Sequence, residues 1–194
     1  MTEMLNKRLA TPTELLGPPS VSLHGAVDAG MLAVWLDSLA KARAEFGPLV
    51  LEMSTTGGDA DIGRRMAEDI RLFREQTGRP ALFLGRATVY SAGVTVMSGF
   101  PRADRWLGKD AVLLIHGRKL TKCLNLDGPL RGERARAEAL LAEIDAGLRL
   151  ERTGFERLIE GSDITLEEIE TQTIGDWYLT AGEALQRGLV AGLV

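Results

Sequence analysis

The chain has 194 residues, 45% hydrophobic and 26% charged, which is globular composition at a length suited to one domain. A single cysteine, Cys123, excludes an internal disulfide, and the absence of a Cys/His cluster argues against a metal site. A net charge of −4 argues against a nucleic-acid partner, and no apolar run approaches the roughly 18 residues of a membrane span.

Residues 1–19 read as an irregular N-terminal segment with Pro12, Pro18 and Pro19. They lack the basic start and apolar stretch of a signal peptide, so a cytoplasmic location is expected. Residues 20–194 read as a single domain. SVSLHG (20–25) predicts a short strand, and Asp28 is placed to cap the helix after it. On that helix Met31, Leu32, Trp35, Leu36 and Leu39 form one apolar stripe. PLVLEMS (48–54) predicts a strand and TTGGDAD (55–61) a tight loop. Ile62, Met66, Ile70 and Phe73 then mark a second amphipathic helix. PALFLGRA (80–87) predicts a strand buried on both faces. A helix over about 91–99 and a buried strand in DAVLLIHG (110–117) follow.

Beyond a loop with Gly128 and Pro129, a long helix is expected over roughly 131–160, with Leu141, Ile144 and Leu148 on one side. Arg131, Arg134 and Arg136 alternate with Glu133 and Glu138 there, as on a solvated helix face. A shorter helix over about 164–173 leads to a strand–helix–strand tail. Trp35, Trp106 and Trp177 read as core or subunit-contact residues. Strands alternating with helices predict an α/β fold with parallel strands and helical crossovers. In such sheets chemistry gathers at the carboxyl ends of strands.

Three features fall at such ends. Ser91 follows a buried strand and opens a helix, with the small residues Ala92 and Gly93 behind it. That suits a nucleophile beside an oxyanion hole, but a helix-capping serine has the same appearance. Gly57-Gly58 is either a turn requiring positive φ or a bare N–H aimed at a developing oxyanion. His116 ends an apolar strand and is either structural or a general base. The other histidine, His24, has no assigned role.

The order of these features resembles the Clp protease proteolytic subunit family over roughly residues 20–194. EMSTTGGDADIG resembles that family's N-S-P-G-G segment, with Thr56 in place of the proline. GRATVYSAG resembles its nucleophile segment, and Ser91 and His116 stand 25 residues apart, as in the family. TLEEIETQTIGDWYLTAGEALQRGLV resembles its C-terminal helix, strand and helix. The resemblance implies a ClpP/crotonase-like fold of stacked ββα units with a long assembly helix. It also implies Ser91 as nucleophile, His116 as base, and the N–H groups of Gly58 and Ala92 as oxyanion hole. No cofactor or metal is implied. A homo-oligomeric ring is expected, acting on peptide or unfolded protein.

The chain also departs from the family pattern. Gln172 occupies the place of the family's catalytic aspartate. Asp176, four residues on, is ranked ahead of Gln172 as third triad member, brought in by a loop shift; the alternative is an aspartate that caps a turn. Two extra residues between Gly85 and Ser91 predict a wider strand-to-helix turn. The segment from His116 to the tail is longer than usual. About 19 residues precede the first strand, so the family's axial loop is expected to be shortened, which puts an unfoldase ATPase partner in doubt. Three functions remain open: a serine endopeptidase, a catalytically impaired ring subunit, and a crotonase-type acyl-CoA enzyme.

Overall fold

The computed structural model describes residues 12–194, so the expectation for residues 1–11 lies outside the described part. Within the expected irregular segment, Thr13–Leu16 form a single 3-10 turn whose Leu15 is buried.

The apolar runs seen in the sequence become strands β1 (Val21–His24), β2 (Leu49–Thr55) and β3 (Ala81–Tyr90), paired in parallel. β4 (Arg105–Leu107), which the sequence reading missed, joins the first half of β3, and β7 (Gly192–Leu193) joins β4. The second half of β3 pairs instead with β5 (Val112–Ile115). β6 (Trp177–Thr180) runs antiparallel to β5, against the all-parallel expectation.

β3 is therefore forked, and a bulge marks the fork. Met53 faces Gly85 while Thr55 faces Val89, so four residues of β3 advance against two of β2. Extra residues in one strand bend it and raise its twist. The bulge falls between Gly85 and Ser91, where a widened turn was expected. The turn itself is not widened: Tyr90 ends the strand and Ala92 begins the next helix.

The crossovers are α1 (Ala29–Ala44) and α2 (Ala60–Thr77), capped by the side chains of Asp28 and Asp59. α3 (Ala92–Ser98) follows β3, and α5 (Leu166–Gln172) and α6 (Ala181–Gln186) flank β6. Trp35, Leu51, Met66, Phe73 and Phe83 form the main core. Residues of opposite parity, Val50, Leu82 and Leu84, project from the other sheet face and pack with Leu15 and Trp106. Trp177 is half-buried against the main core.

The long helix α4 (Leu130–Ile159) matches expectation to within a residue at each end. Of its apolar side chains only Phe155 and Leu158, in the last turns, are buried; Leu141, Ile144 and Leu148 are exposed. Buried Arg105 ties that end to the sheet by donating to the carbonyls of Arg157, Leu158 and Phe100. Burial pushes its guanidinium down to about 10. No helix among the described residues is long and apolar enough to cross a membrane.

Candidate active site

A cleft of about 620 Å³ opens where the carboxyl ends of β2, β3 and β5 meet the last turns of α4. Ser91, Ala92, Gly58 and His116 all line it. Four residues spread over 59 positions of sequence thus share one cavity, because parallel strands bring their carboxyl ends to the same edge.

Ser91 occupies the N-cap position of α3, yet its side chain makes no capping hydrogen bond. Among the described residues it is the one non-glycine with positive φ, at φ 52° and ψ −112°. Such a conformation costs on the order of 1–3 kcal/mol and persists only where surrounding structure enforces it. Here the Ser91 N–H donates to Leu114 O at 2.8 Å, and its carbonyl accepts from Val94 at 2.9 Å. A strained serine at a sharp strand-to-helix turn is how nucleophile elbows expose a hydroxyl. The geometry does not support the capping reading.

Gly57 packs directly behind this turn: a Cβ there would lie 2.8 Å from Ser91 Cβ. Gly58 bridges to Val27, and a Cβ would meet the Val27 carbonyl at 2.3 Å. Val27 N–H and Asp59 N–H are used in that bridge, at 2.9 and 2.8 Å. The Gly58 N–H donates to no protein acceptor among the described residues, nor does that of Ala92. Both are free to bind an oxygen in the cleft. Gly93 has a different purpose from the one its sequence position suggested. It is buried, and a Cβ would strike Thr55 Cγ2 at 2.3 Å, so its smallness serves the packing of α3 on β2.

His116 stands just beyond β5, half-buried, with Nδ1 2.6 Å from the Gly117 carbonyl. A carbonyl oxygen only accepts, so Nδ1 is the donor here, and in a neutral imidazole that arrangement leaves Nε2 as the acceptor. That is the tautomer a general base needs. No hydrogen bond joins His116 to Ser91; catalytic contacts of this kind commonly tighten only with substrate.

The structure does not bring an acid from the tail to His116. Gln172 is the exposed last residue of α5. The Asp176 carboxylate faces Lys119 at 3.9 Å and is half exposed. Neither lines the cleft. The tail reaches the site through backbone alone, the Thr173 carbonyl accepting the Gly117 N–H at 3.2 Å.

Charged groups missed by sequence reasoning rim the cleft. Arg118 donates to Asp61 at 2.9 Å, and this hydrogen bond holds the Asp61 carboxyl below the usual carboxylate range. Glu151 of α4 accepts the Arg118 backbone N–H. Neither pairing has a periodicity that a sequence could display. Elsewhere, Ser22 lies 2.9 Å from His24 and donates to Glu52 at 3.1 Å, but this cluster lies on the exposed outer sheet face, away from the cleft. No cluster of three or more metal-ligating side chains occurs among the described residues.

Comparison with known proteins bears on the fold. No family model matches the chain. The proteolytic subunit 2 of the ATP-dependent Clp protease of Treponema pallidum is 28% identical over 161 residues, covering 82% of this chain and 70% of that protein. A mutant of ClpP1 from Listeria monocytogenes superposes with a TM-score of 0.70 at 16% identity, covering 90% of each chain. The chain has a ClpP-like fold. Its mixed α/β sheet and long helix are those of the ClpP fold. The two-residue bulge in β3 leaves Ser91 at the strand tip, directly before α3.

Proposed function

We propose that this ClpP-like chain is a serine endopeptidase that cleaves peptides or unfolded protein through an acyl-enzyme on Ser91. The observation that carries the reading is the strained, uncapped Ser91 in one cleft with a histidine whose Nδ1 is held by a backbone carbonyl. The substrate backbone lies extended in the cleft, held by main-chain hydrogen bonds. His116 Nε2 takes the hydroxyl proton as Ser91 Oγ attacks the scissile carbonyl. The oxyanion is held by the N–H groups of Gly58 and Ala92. Nε2 then returns its proton to the leaving amine, and water, activated the same way, frees the acid.

The chain works in a homo-oligomeric ring in this reading, with α4 as the assembly element and no cofactor. Its exposed Leu141, Ile144 and Leu148 support that role. An ATPase partner is not required by the chemistry.

A second reading, a catalytically impaired ring subunit, draws on the missing acid. In serine proteases, replacing the triad aspartate by its amide costs about 10⁴ in rate. A fluorophosphonate probe separates the two. Labelling of the wild type and none of Ser91→Ala supports the peptidase. A folded, assembled wild type that takes up no probe supports the impaired subunit. A crotonase-type acyl-CoA enzyme would use the same bare N–H groups for a thioester oxygen, and retention on immobilised CoA tests it.

A further inference from the structure

The catalytic reading leaves the imidazole with a neutral partner, the Gly117 carbonyl. That carbonyl belongs to the same peptide group as the Arg118 N–H. In a trans peptide the two point in opposite directions. The Arg118 N–H donates to the Glu151 carboxylate. A continuous path therefore runs from the carboxylate through one amide to His116 Nδ1.

We propose that Glu151 is a positioning residue for His116, acting through the Gly117–Arg118 peptide group in place of an acid from the tail. This rests on the reading of His116 as the base.

Three further observations support it. A carboxylate accepting from an amide N–H polarises the amide and strengthens its carbonyl as an acceptor, since linked hydrogen bonds reinforce one another. Residue 117 has no side chain to block the approach: a Cβ there would lie 3.1 Å from Glu151 Oε2. The groups flanking that peptide are also held, the Gly117 N–H by Thr173 O and the Arg118 side chain by Asp61. Each of these contacts reaches the imidazole through the backbone. Glu151 is the carboxylate among them that grips the peptide carrying the imidazole's acceptor. It also lines the cleft with Ser91 and His116, whereas Asp176 does not.

The test compares wild type, Glu151→Ala and Glu151→Gln in the full chain. The rate constant of Ser91 acylation by the fluorophosphonate probe is read together with the melting temperature. Backbone amide exchange of the 116–119 segment is followed by mass spectrometry. Glu151→Ala is expected to slow acylation about ten- to a hundredfold, the scale of a displaced catalytic group, and to speed exchange at the Arg118 amide. Glu151→Gln is expected to recover part of the rate at an equal melting temperature, because its amide oxygen still accepts the Arg118 N–H. A purely structural role would not produce that recovery. Acylation of Glu151→Ala at the wild-type rate overturns the inference and leaves the Ser91 reading standing. An unlabelled wild type overturns the Ser91 reading. The exchange measurement then decides by itself: faster exchange upholds the Glu151 grip, and unchanged exchange overturns it.

Discussion

Ser91 joins a proposed nucleophile to a strained backbone in one residue. Its positive φ disfavours any residue with a Cβ, so Ser91→Ala removes the hydroxyl but keeps the strain. Ser91→Gly removes both. Both variants are expected to lose probe labelling, and Ser91→Gly is expected to melt higher than Ser91→Ala by the equivalent of about 1 kcal/mol, after the extra entropy of the unfolded glycine chain. Calorimetry of the two variants checks this. A second expectation concerns the tail. Because the Asp176 carboxylate faces Lys119 and stands outside the cleft, Asp176→Asn should leave Ser91 acylation within about twofold, as for a weak exposed ion pair. A loss of several orders of magnitude would restore Asp176 to the triad. The sequence marked Ser91 and His116 through their positions after apolar runs. It could not mark Glu151, whose partner is a backbone N–H 33 positions away.

At the level of elements, the site is held by close approaches between secondary structures. α3 lies on β2 at Gly93 and on α2 at Gly63 and Gly99, where an added Cβ would meet neighbouring atoms at 2.3, 2.9 and 2.7 Å. Gly93→Ala should therefore destabilise the protein by about 1–3 kcal/mol, as overpacking does, measured by urea unfolding. The Asp61–Arg118 pair links the start of α2 to the segment after β5. Its sign in pH is fixed by the lowered Asp61 pKa. The stabilisation is fully present above the unfolded carboxylate value, near 4, and fades as pH falls through the lower folded value. Most of the Asp61 side chain is exposed, so the effect stays below about 1 kcal/mol. It should vanish in Asp61→Asn when stability is followed from neutral to acid pH. The stripe of α2 was read correctly, and element boundaries agreed with expectation in α4. They failed at β4, whose three residues are too few to show a period, and at β3, whose bulge breaks its alternation.

At the level of the molecule, the long helix α4 has little to pack against among the described residues. Leu141, Leu148 and Ile144 are 60%, 55% and 39% exposed, and each fully buried leucine is worth roughly 1.5–3 kcal/mol. A helix with such a stripe is expected to find its partner in another copy of the chain. Replacing Leu141 and Leu148 together by lysine should shift the sedimentation profile toward smaller species while leaving the protomer folded, because the core-facing end of α4 at Phe155 and Leu158 is untouched. An unchanged profile would remove α4 from assembly. Arg105 anchors that end, and Arg105→Met should cost at least about 3 kcal/mol, since several buried carbonyls lose their donor together.

Local pattern in the sequence was enough for the α/β class, the order of the main strands and helices, and the serine and histidine at strand tips. Those follow from hydrophobic periodicity and from residues flanking apolar runs, both of which are short-range properties. Tertiary structure alone decided that β3 forks, that Ser91 is strained and uncapped, that Gly93 serves packing, and that the carboxylate nearest the histidine's peptide comes from α4 and not from the tail. Each of these depends on which distant segments meet, and contacts between distant segments leave no period in the chain.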